Sequence, residues 1–236
     1  MNKKDRIALD KKIQEKLNPF YLKKGYQLDE KLFIYTNDCF TVFWGDASDF
    51  GDWLSFRPNF QILNSKIKNN LSIVFPDKSN VVSNKSQDLQ MAKLFGVCDF
   101  DCSIFVDLSD NGIEYSNYSY KIGIDTDLQP IIKDHIQFME KVTFPYFEKL
   151  STVKGISDYF NNRLLALTDE ELKDRKVMKS FQKEEVLCAI IASYLENEER
   201  LTEVIDTYKK LYSTSEFYFN DINVLDNWIK DNNEVN

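Results

Sequence analysis

The sequence predicts an α+β fold: an N-terminal helix, an antiparallel sheet, then a helical C-terminal segment. Three observations carry this prediction. Apolar residues within 3–17 recur at helical spacing. Short β-branched and aromatic runs separated by turn residues then continue to residue 124. After Asp125 the apolar spacing is helical again, and such segregation of strands from helices favours α+β over alternating α/β.

The N-terminal helix is expected to be amphipathic, with Ile7, Ile13 and Leu17 on one face and lysines opposite. Asn18-Pro19 is predicted to end it, because the residue before a proline avoids helical angles. A turn-rich loop is expected from Gly45 to Asp52, where glycine and aspartate alternate with small residues. The predicted strands cover residues 31–36, 39–44, 53–63, 71–75, 102–108 and 118–124.

The second half of the chain reads as helices. A capping box is expected at Thr168 and Glu171, since each side chain can bond to the other's backbone amide. The sequence predicts a domain of residues 1–163 that holds the sheet and an acidic helical segment of residues 164–236. The predicted helices begin near Thr126 and then cover residues 156–167, 183–195, 199–212 and 219–230.

The stretch 17–26, LNPFYLKKGY, precedes the strand at 32–35, and the helix that begins at Leu128 ends near Pro145. This pattern resembles a family of uncharacterised bacterial α+β domains, a domain of unknown function, over residues 5–163. In the family a residue separates the lysine pair from the glycine, whereas here Gly25 follows directly. The resemblance implies a helix followed by a curved antiparallel sheet. It implies no established activity and no functional residues.

Charge is unevenly distributed along the chain. The 38 Asp and Glu outnumber the 30 Lys and Arg, which gives a net charge of -8. Residues 164–236 hold 16 acidic and 9 basic residues, so this segment carries -7 of the total. This acidic balance disfavours nucleic acid as a partner and favours a partner protein that has a basic surface. Glu196, Glu199 and Glu203 are the candidate binding residues of this segment, and a solvated helix surface is the alternative interpretation.

The sequence predicts a cytoplasmic protein with no membrane partner. The N-terminal residues are charged throughout, and no apolar run approaches the roughly 20 residues that span a bilayer. Cys39, Cys98, Cys102 and Cys188 are scattered, so we expect reduced thiols in packed interiors.

Motifs for catalysis and cofactors are absent from the sequence, so no cofactor and no catalytic residue is predicted. Neither a Walker A nor a Gly-x-Gly-x-x-Gly pattern occurs. Asp46, Asp49 and Asp52 could offer oxygen ligands to a hard cation, although a solvated turn is the favoured interpretation. His135, the single histidine, would have to serve any Ser-His or Cys-His site.

Aromatic residues crowd the strands between positions 33 and 60. Core packing is the favoured interpretation, and a concave apolar surface for a ligand or peptide is the alternative. Trp44, Trp53 and Phe56 are the candidate binding residues of such a surface.

Three hypotheses of function follow from these patterns. The favoured one is a non-catalytic binding protein, of which a bacterial immunity-type protein for a basic partner is one concrete version. The alternative is a metal-dependent hydrolase that uses Asp46, Asp49 and Asp52, with His135 as a further candidate. The third is a purely structural or regulatory domain. The oligomeric state is left open.

Overall fold

The computed structural model describes residues 2–29, 32–36, 39–49, 53–76, 115–116 and 119–233. Helices hold most of these residues, so the predicted α+β class is wrong and the described chain is mostly helical. One reason is the run at 71–75, which was predicted as a strand. Residues 71–74 of this run belong to a helix in which Ile67 and Leu71, four residues apart, are both buried. A short apolar run alone does not separate strand from helix.

Helices precede, interrupt and follow the strands. A five-residue π-helical segment, Met139–Thr143, joins the helix Leu128–Phe138 to the helix Phe144–Leu150 without a break. The helices are α1 (Lys3–Lys23), α2 (Ser65–Val74), α3 (Leu128–Phe138), α4 (Phe144–Leu150), α5 (Val153–Leu165), α6 (Arg175–Lys179), α7 (Lys183–Leu195), α8 (Leu201–Leu211) and α9 (Glu216–Asn233).

The strands form a minority of the described residues. They are β1 (Gln27–Asp29), β2 (Leu32–Thr36), β3 (Cys39–Asp49), β4 (Trp53–Asn64), β5 (Tyr115–Ser116) and β6 (Ser119–Gly123). β1 pairs with β2 and β2 with β3, while β4 and β5 each pair with β6, all antiparallel. They lie in the order β1-β2-β3-β4-β6-β5. The predicted run at 102–108 lies outside the described residues.

Helix α1 continues through Pro19, which corrects the predicted end at Asn18. Leu17 and Tyr21, four residues apart on either side of the proline, are both buried, and this packing outweighs the one backbone bond that proline cannot donate. The helix instead ends at Lys23, and Gly25, two residues further, has a φ of +89°. The Gly25 amide donates to the Leu22 carbonyl and the Tyr26 amide to the Tyr21 carbonyl, each at 3.0 Å. This pair of bonds is a Schellman motif.

The chain forms two compact units. The described residues within 1–61 and 100–147 form unit 1, and those within 62–99 and 148–236 form unit 2. The predicted domain boundary at residue 163 falls inside α5, and α5 packs against α7 and α8 within unit 2.

Unit 1 has a polar pair at the centre of an aromatic core. The Tyr21 ring stacks on Phe33, with centroids 4.2 Å apart, and its hydroxyl hydrogen-bonds with His135 Nε2 at 2.7 Å. Nearby on α3, Asp134 accepts a 2.8 Å bond from the Tyr120 hydroxyl. All five side chains are buried. The hydroxyls of Tyr21 and Tyr120 therefore both have partners inside the core, as buried polar atoms usually do.

Unit 2 is built around helix α7. The residues from Val186 to Ser193 are all buried, and a helix that is apolar on every side is expected at the centre of a bundle. Helices α2, α5, α8 and α9 contact it. The predicted capping box at Thr168 and Glu171 forms, with reciprocal bonds of 2.8 and 3.3 Å, but it precedes a short 3₁₀ turn instead of a long helix.

Candidate functional site: the acidic turn

Residues 196–203, which form the connection between α7 and α8 and the first residues of α8, carry the three glutamates predicted as binding residues, and we call this segment the acidic turn. It begins with a second Schellman motif. The Asn197 amide donates to the Tyr194 carbonyl and the Glu198 amide to the Ser193 carbonyl, both at 3.1 Å. Asn197 adopts a φ of +52°, which asparagine tolerates better than most residues. The backbone of the turn is therefore fixed by its own hydrogen bonds.

Glu198 is held inside this turn by three donors. Its carboxylate accepts bonds from Ser157 Oγ at 2.6 Å, Ser193 Oγ at 2.7 Å and Arg200 Nε at 2.8 Å. Partial burial acts to raise the pKa of Glu198, but the bonds from Arg200, Ser157 and Ser193 and the charge of Arg200 outweigh burial and lower it. Glu198 therefore stays ionised and anchors the turn to α5.

The cation of the turn is directed toward α5. Besides bonding Glu198, Arg200 lies 3.6 Å from Asp158 Oδ1 and donates from Nη1 to Asn162 Oδ1. Asn161, on the same helix, extends the network by donating to Ser157 Oγ at 2.9 Å and to the Ala189 carbonyl at 3.1 Å. The guanidinium of Arg200 is thus already paired with side chains of unit 2.

The three remaining glutamates face solvent. Glu196, Glu199 and Glu203 are exposed, and none forms an ion pair within the described part of the chain. Because the turn's own cation is occupied, these carboxylates present a local negative charge on a rigid backbone. Such an arrangement can attract a cationic surface, and rigid presentation lowers the entropy lost on binding.

Of the three aromatic residues predicted to bind a ligand on the strands, Phe56 is a core residue. Phe56 is 2% exposed, and its ring lies 6.3 Å from that of Tyr120 in the core of unit 1. Phe33, in the same aromatic run, is also buried. Trp44 and Trp53 belong to β3 and β4, and their side chains lie outside the described part of the structure.

The predicted metal loop differs from expectation in its backbone. Gly45 to Asp49, expected as part of a loop, belong to strand β3, because the aromatic β-branched run before them extends the strand. Asp52 lies outside the described residues. Within the described ranges, no group of three His, Cys, Asp or Glu side chains could hold a metal ion.

His135 and Cys188 are core residues. Burial lowers the pKa of His135 to about 3, so the imidazole is neutral at physiological pH. No face of the ring is open to a substrate, since its exposure is 0%. Cys188 is buried, while Cys98 and Cys102 lie outside the described residues.

The sequence located the exposed glutamates but not the network that fixes them. Ser157 lies 41 residues before Glu198, so no local pattern links the two. Asn197 was the one residue whose type indicated the turn, because asparagine is, second to glycine, the residue most often found in left-handed backbone just after a helix.

Among the described helices, none is long and apolar enough to cross a membrane. No protein-family model matches the sequence, and neither the curated proteins nor the solved structures contain a match. The geometry of the acidic turn therefore carries the functional argument alone.

Proposed function

We propose that this chain is a non-catalytic binding protein whose acidic turn docks a partner with a basic surface. One observation carries the proposal: Glu196, Glu199 and Glu203 are exposed without ion pairs in the described residues, while the neighbouring Arg200 is bound to Glu198, Asp158 and Asn162. An ordinary solvated face would be expected to mix both signs of charge.

The contrast between Glu198 and its neighbours supports this function. Glu198 is 13% exposed at its side chain and is saturated with donors, so it serves the fold. The other three carboxylates contribute nothing of this kind. Exposed charges contribute little to stability but can steer and orient a charged partner. An immunity-type protein that neutralises a basic toxin belongs to this class.

Affinity capture tests the proposal. The chain is immobilised, exposed to lysate of the organism that encodes it at low salt, and eluted with a salt gradient. We expect a basic protein to elute as salt rises, because exposed charge pairs are screened beyond a Debye length of about 8 Å at 0.15 M. A captured partner that is acidic, or whose binding is independent of salt, would contradict the proposal.

A further inference from the structure

Two aromatic side chains of unit 2, which we call the ring pair, lie in contact near the acidic turn. Tyr194 belongs to the last turn of α7, and Trp228 belongs to α9. Their ring centroids are 5.5 Å apart and their planes meet at 72°, an edge-to-face arrangement that aromatic pairs favour. Both residues are only partly buried, so part of the ring pair remains accessible to solvent.

The ring pair is connected to the acidic turn through the backbone. The Tyr194 carbonyl accepts the 3.1 Å bond from the Asn197 amide that belongs to the Schellman motif of the turn. Glu196, an exposed carboxylate of the turn, follows Tyr194 by two residues, a stretch of chain that spans at most about 7 Å. A protein that covers the acidic turn therefore also meets the ring pair.

The surface continues along α9 on both sides of Trp228. Val224 precedes Trp228 by four residues and Asp231 follows it by three, so the three side chains lie along one face of the helix. Val224 is 47% exposed, and Asp231 is exposed as well. An apolar side chain, an aromatic ring and a carboxylate in a row suit a partner side chain that has an apolar stem and a cationic head.

Three partly exposed rings elsewhere in the chain are covered by its own cations. Lys24 Nζ lies 5.9 Å from the ring centroid of Phe20 and 5.2 Å from that of Phe144. Lys149 Nζ lies 4.9 Å from the ring centroid of Tyr159. Among the described residues, no lysine or arginine lies over the ring pair. Tryptophan is the side chain whose ring binds cations most strongly, so the ring pair is suited to a cation from a partner.

The neighbouring lysine of α9 is held by a carboxylate. Lys230 follows Trp228 by two residues, and residues at this spacing do not face each other on a helix. Its ammonium donates to Asp226 Oδ2 at 2.8 Å, and Lys209 donates to the same oxygen. Both ammonium groups are therefore paired, and the exposed carboxylates near the ring pair favour a positively charged partner.

We propose that the basic partner of the acidic turn places an arginine side chain against the ring pair. The guanidinium stacks on Trp228 and the stem of the arginine contacts Val224. Arginine fits better than lysine, because its planar guanidinium stacks on aromatic faces and is more weakly hydrated than an ammonium. This inference rests on the proposed function, since the acidic turn supplies the charge that attracts the partner.

The test is an NMR titration of the whole chain with the peptide acetyl-Gly-Arg-Gly-Arg-Gly-amide. The indole N–H signal of Trp228 is assigned by its absence from the spectrum of Trp228→Leu, and the backbone amide signals of the acidic turn are followed in the same spectra. We expect saturable shifts in both places, with a dissociation constant on the order of 1 mM for so short a ligand. The corresponding lysine peptide should bind about fivefold more weakly, and the neutral citrulline peptide at least about tenfold more weakly.

Trp228→Leu keeps an apolar side chain and removes the ring. We expect it to weaken binding of the arginine peptide by about fivefold, as measured by the amide signals of the acidic turn. Tyr159→Leu is the matched control, because it removes a partly exposed ring of unit 2 that Lys149 already covers, and it should leave the affinity unchanged. If Trp228→Leu impairs folding, the comparison of the arginine and lysine peptides on the unchanged chain decides.

The possible contrary results have different meanings. Equal binding of the arginine and lysine peptides without a shift of the Trp228 signal would overturn the inference and leave the proposed function standing. A Trp228 signal that shifts with protein concentration before peptide is added would overturn it by assigning the surface to a second copy of the chain. The absence of saturable shifts at both Trp228 and the acidic turn would contradict the inference and the proposed function together.

Discussion

The two units stabilise their internal polar groups in opposite ways. In unit 1, His135 is buried beside Tyr21, and burial keeps the imidazole neutral by lowering its pKa to about 3. In unit 2, Glu198 remains charged because Ser157, Ser193 and Arg200 donate to it. In unit 1 the buried imidazole is kept neutral, and in unit 2 the carboxylate is held in its charged form by hydrogen bonds. The hydrogen-bonded Glu198 of unit 2 lies directly beneath the exposed glutamates of the candidate site.

The largest expected effect comes from removing the held charge. Glu198→Ala leaves two buried serine hydroxyls and a cation without their acceptor, and hydrogen bonds to charged groups contribute about 1.5–3 kcal/mol each. We expect the free energy of unfolding to fall by about 3 kcal/mol, as measured by urea denaturation. Glu199→Ala, one residue further, is the matched control and should leave stability unchanged because its side chain is exposed. Equal losses in the two variants would show that Glu198 is not an anchor.

The neutral His135 in the core of unit 1 predicts a pH dependence of stability. Since the pKa of His135 is about 3 when folded and about 6.5 when unfolded, only the unfolded chain gains a proton between these values. Stability should therefore fall as pH drops below about 6.5, by up to about 1.4 kcal/mol per pH unit. Replacing both partners, with His135→Phe and Tyr21→Phe, should flatten the profile between pH 6.5 and 5 in urea titrations.

A variant of Glu198 distinguishes the contribution of unit 2 from that of unit 1 in the same pH titration of stability. Its pKa is lowered from about 4.5, so its contribution is present above that pH and is lost as pH falls further. Glu198→Gln should therefore keep the wild-type slope between pH 6.5 and 5 and differ from it below that range. A flat profile in Glu198→Gln and a steep one in the His135 and Tyr21 double variant would reverse the account.

Two buried hydroxyls test the same contrast at a smaller scale. Thr143, in the π-helical segment, is 0% exposed, and its hydroxyl has no partner in the described residues. Ser157 is equally buried but bonds to Glu198 and Asn161. We expect Thr143→Val to raise the free energy of unfolding by about 1 kcal/mol and Ser157→Ala to lower it by about 2 kcal/mol. Destabilisation by Thr143→Val would mean that its hydroxyl is satisfied in solution.

The sequence predicted helices best where a long apolar period was available. The helices expected at 183–195, 199–212 and 219–230 coincide closely with α7, α8 and α9. The predictions failed where the local preference of a residue or a short run is outweighed by tertiary packing. Pro19 was read as a helix end although Leu17 and Tyr21 bury on both sides of it, and the run at 71–75 was too short to reveal its period with Ile67.

The sequence indicated the exposed glutamates of the candidate site but not the buried network beneath them. The density of carboxylates pointed to Glu196, Glu199 and Glu203, and their exposure agrees with a solvent-facing position. Sequence could not distinguish Glu198 from Glu199, because the difference depends on Ser157, a residue 41 positions away. Phe56 was a plausible ligand contact by composition, but burial against Tyr120 is decided by tertiary packing.

The smallest expected effects compare the two Schellman motifs. Gly25 in unit 1 and Asn197 in unit 2 both occupy left-handed backbone, with φ of +89° and +52°. Asn197→Gly should stabilise unit 2 by up to about 1 kcal/mol, because glycine adopts this conformation without steric cost. Gly25→Ala should destabilise unit 1 by about 1 kcal/mol, since its Cβ would lie 3.1 Å from the Tyr35 ring. Thermal melts of the two variants would show opposite shifts.

The most direct test of the central claim measures the affinity of the captured basic partner for two triple variants of equal net charge. Glu196→Gln, Glu199→Gln and Glu203→Gln remove the charge of the acidic turn. Asp169→Asn, Glu170→Gln and Glu216→Gln remove three exposed carboxylates elsewhere in unit 2. If the turn docks the partner, the first triple should weaken binding by about tenfold, at about 0.5 kcal/mol for each exposed pair, and the second should leave it unchanged. Equal weakening by both would show that net charge, and not the acidic turn, attracts the partner.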